Sequence, residues 1–185
     1  VEDVLIEDLH VVTASTGGAL VIKTTPDRGG YVRNITVRGA EIGNIVEEPR
    51  RKFKAAAAGF MIVGRLGDWT PEANPRCKTR PLALPRISDV EIRDVRQMPG
   101  TRISGPPVRF QGLAEGQILR NIRLASVRLA ASTHPGGICS NAEVTVGADV
   151  VFDVLRDPDG GSASDSSTRG AGHCIPVSES PPPDE

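Results

Sequence analysis

One arrangement of apolar and polar residues recurs along the chain. It runs apolar, any, Asn or Asp, apolar, any, apolar, two of any type, apolar, any, and usually apolar. It is found as "VEDVLIEDLHV" from Val1, "VRNITVRGAEI" from Val32, "ISDVEIRDVRQ" from Ile87 and "LRNIRLASVRL" from Leu119, with a weaker copy, "CSNAEVTV", from Cys139. Within each copy apolar and polar residues alternate, the period of a strand with one buried face. The third position holds Asp3, Asn34, Asp89, Asn121 and Asn141, residue types that tolerate left-handed backbone and close tight turns. Each copy therefore predicts a short strand, a bend and a second short strand.

Between the copies lie further strand-like pieces, "GALVIKTT", "AGFMIVG" and "PPVRFQG". The two-residue Asn-Gly or Asp-Gly turns of hairpins are absent from the repeat junctions. Successive short strands, a recurrent Asn bend and variable intervals predict an all-β chain in the form of a parallel β-helix, in which each coil stacks on the one before and buries a shared interior. The longest interval, from Val32 to Ile87, holds one coil with a long insertion or two coils of which one is poorly marked. Its segments "EEPRRKFK" (Glu47 to Lys54) and "LGDWTPEANPRCKTRP" (Leu66 to Pro81) read as loops, and "RRKFKAAAA" is compatible with a short lateral helix. Residues 1–156 form the β-helix in this reading. Residues 157–185, dominated by Gly, Ser, Pro and Asp, form a flexible tail that only Cys174 could tie down.

At 185 residues the chain is long enough for one domain with a core of its own. Its longest apolar runs are far shorter than the roughly 20 residues of a membrane-spanning helix. A formal net charge of −1 gives no general attraction to nucleic acid or to an anionic membrane, so anion binding has to come from a local cluster. The first residues carry no secretory-signal pattern and begin directly on an alternating strand. Cys77, Cys139 and Cys174 are too few and too scattered for a paired-cysteine metal site, leaving one disulfide and a free thiol, or three free thiols. His10 has no Cys or second His at ligand spacing, and no cofactor is implied.

Three stretches resemble a known family. "VIKTTPDRGGYVRNITVRG" from Val21 is similar to a segment of glycoside hydrolase family 28, the polygalacturonases and especially their plant-type members, in which Arg-Ile-Lys-Thr precedes a Gly-Arg-Gly-Gly-Tyr turn and a Val-Arg-Asn-Ile strand. "LALPRISDVEIRDV" from Leu82 resembles a later stretch, and "GGICSNAEVTV" from Gly136 resembles the family's Gly-Ile-Cys-Ile-Ser-Asn-Val strand with one residue missing. The resemblance implies a right-handed, pectin-lyase-like parallel β-helix, secreted to the extracellular space or cell wall and monomeric when complete. It implies inverting hydrolysis of α-1,4-linked galacturonan in pectin, with aspartates as acid and as base for water. The family supplies them from an Asn-Thr-Asp segment and an Asp-Asp pair, followed by a Gly-His-Gly segment, all N-terminal to its Arg-Ile-Lys. None of these is present, so no catalytic residue is assigned and the chain reads as the C-terminal portion of a family member, inactive by itself. Gly172-His173-Cys174 lies at the wrong end of the chain to stand for the Gly-His-Gly segment.

Residue by residue, Lys23 matches the lysine that contacts a galacturonate carboxylate in the family. Such a charged hydrogen bond in a partly dried cleft contributes about 1.5–3 kcal/mol. The alternative is a plain lysine on an exposed strand end. The family's neighbouring arginine falls at Val21, which offers no donor, so the bidentate fork is lost. Tyr31 matches the Gly-Gly-Tyr position, as a packed ring or a sugar contact, and Arg28 either adds positive field near Lys23 or is a solvated turn residue. Trp69 is a loop anchor or a sugar-stacking platform. Asn34 opens an Asn-Ile-Thr glycosylation sequon, and the family's late cysteine makes Cys139 and Cys174 the expected pair. The partner implied is a pectic polysaccharide, with no nucleic acid and no membrane. The competing reading is a non-catalytic β-helix that binds polysaccharide or is purely structural. A pectate lyase would need a calcium-binding aspartate cluster, and none is visible.

Overall fold

The computed structural model describes residues 1–15, 17–25, 29–46, 57–64, 84–113, 116, 118–132, 134, 136–154 and 174. Among them every named element is a strand and every pairing between strands is parallel. Seven strands form the larger sheet: β1 (Glu2–Glu7), β2 (His10–Ser15), β4 (Tyr31–Val46), β6 (Arg86–Gln97), β8 (Leu119–Ala131), β10 (Ala142–Val146) and β11 (Val151–Val154). Four form the smaller one, in the order β3 (Gly18–Lys23), β5 (Ala58–Val63), β7 (Val108–Gln111) and β9 (Ile138–Ser140). Along the chain, stretches of the larger sheet (β1 with β2, β4, β6, β8, and β10 with β11) alternate with single strands of the smaller one, so the four strong copies of the repeat lie in the larger sheet and the intervening pieces in the smaller one. The all-β, parallel-strand expectation holds at this level.

The repeat explains the shape of the larger sheet. Asp3, Asn34, Asp89 and Asn121, at the third position, have φ between 51° and 56°. A second left-handed residue stands at the eighth position of each copy: Asp8, Gly39, Asp94 and Ser126. Each of these bends inserts one residue into a strict two-residue alternation. Inward-facing residues therefore fall at positions one, four, six, nine and eleven, which is the observed pattern of apolar residues. The bend at the third position was predicted. The one at the eighth was not, although the two unconstrained positions in the motif are its trace.

Register stacks like upon like. Val4, Ile35, Val90, Ile122 and Val144 form one inward column, and Ile6, Val37, Ile92, Leu124 and Val146 the next. These columns face Leu20, Phe60, Val108, Ile22, Ile62 and Phe110 from the smaller sheet in one continuous core. Where β6 ends, Ile103 takes its place, bridging Ile45 and Ala131. The Gln97 side chain mends the break: its Nε2 donates to Thr101 O at 2.7 Å and its Oε1 accepts from Ala130 N at 2.7 Å.

All six residues of β5 are buried. On its outward face Ala58, Met61 and Val63 form a separate apolar cluster against which Val21 packs. Ala58 already belongs to this strand. Ala57, just before it, is buried in the core and is not helical, while residues 50–56 of the stretch considered for a helix, with Trp69, Cys77 and nearly all of the tail, lie outside the described residues. Cys139 of β9 is joined to Cys174 by a disulfide with a Cα–Cα distance of 5.1 Å, and Cys174 N donates to Gly136 O at 3.1 Å.

Candidate functional site

Lys23 is the last residue of β3, in register with Val63. Strand alternation places it on the same face as Val21, the outward face of the smaller sheet. It is exposed and makes no side-chain hydrogen bond or ion pair with a described residue. It stands at the edge of the cluster of Val21, Ala58, Met61 and Val63, in register with Val63. Val21 meets that face as an apolar contact and offers no hydrogen-bond donor there.

Tyr31 opens β4, on the other sheet. Its ring is 43% exposed, and its hydroxyl donates to Glu2 Oε1 at 3.1 Å. Arg33 lies over the ring, 4.5 Å from its centroid, and donates to Glu2 Oε2 through Nε at 2.9 Å and Nη2 at 2.6 Å. The Arg33 guanidinium, then the Tyr31 hydroxyl, hold the Glu2 carboxyl below its ordinary range. Tyr31 and Lys23 share no hydrogen bond, ion pair or ring contact among the described residues, and Arg28 lies outside those residues.

Asn34 is exposed at the first bend, where its Nδ2 donates to Asp3 Oδ1 at 2.5 Å; Asn121 Nδ2 donates likewise to Asp89 Oδ1 at 2.7 Å. The amide nitrogen that a glycan would use is thus the donor of a ladder bond. At Asp89 the Asn121 amide, then the Ser88 hydroxyl at 2.7 Å, keep the carboxyl low.

The outward face of the larger sheet carries charges that the sequence reading left unconnected. His10 Nδ1 lies 3.1 Å from Glu41 Oε2, while Arg96 donates to Glu41 Oε1, so three strands share one ionic row. Arg96 above all, then His10, lower the Glu41 carboxyl. This row borders an open groove of about 490 Å³ at the second bend, beside Asp8 and Asp94. At the first bend a groove of about 380 Å³ runs between Asn34, Asp89, Asn121 and Arg123. Among the described residues no three His, Cys, Asp or Glu side chains are grouped to hold a metal ion. Register would have exposed these rows: once the copies are aligned, position ten reads His10, Glu41, Arg96 and Arg128.

Against protein-family models, curated proteins and solved structures, the chain has no match.

Proposed function

We propose that this chain is part of a right-handed parallel β-helix of the polygalacturonase type, and that it contributes acidic-sugar contacts to a pectin-acting glycosidase. The observation that carries the reading is the alternation of parallel strands between two sheets, with an Asn or Asp bend recurring in register along the larger one. A shared interior and a stack of equivalent rungs follow from that alternation. Lys23 is exposed and makes no ion pair with a described residue, in keeping with a carboxylate contact. In this reading the carboxyl acid and base of inverting hydrolysis belong to residues outside this sequence, and the protein works outside the cell on galacturonan.

One observation favours the second reading, a β-helix that binds pectic polysaccharide without cutting it. Val21 packs with Met61 and Val63 at the position where the family it resembles has an arginine, which supports a face that meets sugar without the fork used to hold a carboxylate.

A reducing-sugar assay on polygalacturonate, run on the 185-residue chain and on the longest native reading frame containing it, tests both readings. Turnover by the longer protein alone supports the hydrolase. Binding without turnover in both selects the second reading, and neither binding nor turnover rejects the two together.

A further inference from the structure

The first segments of β4, β6 and β8 form one outward surface on which charge is compensated unevenly. Tyr31 is in register with Arg86, and Arg33 with Ser88, which in turn faces Arg120. On the β1 and β4 side Glu2 takes both Arg33 and Tyr31, so the local charge cancels. On the β6 and β8 side, Arg86 and Arg120 are exposed and neither makes an ion pair or side-chain hydrogen bond with a described residue. The two arginines line a groove of about 600 Å³ whose other walls include Leu84, Pro85 and Ile118. Ile118 is 39% exposed. The nearby Asp89 carboxylate is occupied by Asn121 and Ser88 at the bend.

We propose that this groove is a second acidic-saccharide site, in which Arg86 and Arg120 hold carboxylates of a uronic-acid chain and Leu84, Pro85 and Ile118 meet the C–H faces of its rings. The groove stands on its own geometry; the choice of galacturonan as its ligand rests on the function proposed above. Diagonal positions on neighbouring strands lie about 7–8 Å apart. Two guanidinium forks on neighbouring diagonal positions can meet successive anionic groups along a chain, where an isolated ion would engage only one. An Arg fork recognises a planar carboxylate through two parallel hydrogen bonds, which a lysine cannot reproduce. No aromatic side chain lines the groove among its described residues, so the stacking platform of a single-stranded nucleic-acid site is missing.

Calorimetric titration of the whole chain tests the site, with three probes: oligogalacturonate, its fully methyl-esterified form, and poly-glutamate. The variants are Arg86→Ala with Arg120→Ala, Arg86→Lys with Arg120→Lys, and Lys23→Ala, each checked for an unchanged melting curve. Oligogalacturonate is expected to bind, to weaken about tenfold or more in the alanine pair, and to weaken partly in the lysine pair. The methyl ester, lacking the charge, is expected not to bind, and added salt to weaken the wild type. Equal binding by the alanine pair, equal binding of the ester, preference for poly-glutamate, or no binding at all each overturns the site. Should the alanine pair fail to fold, the lysine pair decides: unchanged affinity there overturns the fork. Loss only in Lys23→Ala overturns the groove but keeps the proposed function. Loss only in the arginine pair supports the groove and removes Lys23 from that function.

Discussion

The two sheets share a core but differ on their outward faces. The larger sheet turns alternate residues to solvent and fills them with Glu2, Arg33, Glu7, Arg38, Glu41 and Arg96 in cross-strand pairs. The smaller sheet is apolar on both faces at β5, where Met61 is 1% exposed and Val63 2%. A half-solvated sheet tolerates charge and rearrangement on its outer face, whereas a sheet buried on both sides does not. Paired charged side chains therefore collect on the outward face of the larger sheet.

The largest expected effect tests that difference directly. Met61→Asp places an unpaired carboxylate in the cluster with Ala58 and Val63, and should cost more than about 3 kcal/mol. Leu5→Asp, on a larger-sheet residue 51% exposed, should stay within about 0.5 kcal/mol. Urea unfolding measures both, and similar values would erase the contrast between the faces.

Next comes the covalent tie of the smaller sheet. Cys139 and Cys174 are separated by 35 residues, so replacing both with Ser frees the unfolded chain and should cost about 2–4 kcal/mol. Equilibrium unfolding of the oxidised wild type against the double variant gives the value. A change below experimental scatter would mean that β9 is held by its pairing with β7 alone.

Legibility in the sequence followed the same division. The larger sheet announced itself because one solvated face forces alternation, and because left-handed bends select Asn and Asp at the third position. The eighth position was harder to read, since Asp8, Gly39, Asp94 and Ser126 share a backbone conformation and no side-chain type. In the smaller sheet "AGFMIV" has no alternation to read, and a continuous apolar run does not distinguish a buried strand from a helix segment. For the site, Lys23 and Tyr31 stood out through resemblance, but their separation onto different sheets depends on long-range register. Arg86 and Arg120 stand out only against the contrast that Glu2 pairs with Arg33 and Tyr31 on one side, while among the described residues no carboxylate pairs with them on the other.

A smaller effect separates the bend from its ladder. Asn121→Ala forces a Cβ-bearing residue without a capping amide into φ 51° and removes the bond to Asp89, costing about 1–2 kcal/mol. Asn121→Gly keeps the conformation and loses only the amide, so about 1 kcal/mol or less is expected. Equal losses from the two, compared by thermal melts, would assign the whole contribution to the amide's bonds with Asp89 and Arg123.

The smallest effect concerns acid. Glu2, Glu41, Asp89 and Asp149 all have carboxyls held low, mainly by Arg33, Arg96, Asn121 and Ser126 respectively. A carboxyl whose folded pKa is depressed binds fewer protons than its unfolded counterpart. Its stabilising contribution is complete above the unfolded value, about 4, and disappears as pH falls through the folded one. All four lie on the larger sheet or the turn before β11, and the strands of the smaller sheet contain no Asp or Glu. Below about pH 4, hydrogen exchange should therefore accelerate at the bends near Asp89 and Asp149 before it does in β5 and β7. Asp89→Asn, which no longer titrates there, should flatten its share of that pH dependence while keeping an amide at the bend. Simultaneous loss of protection in both sheets would mean that the shared core, and not the outward carboxylates, governs the response to acid.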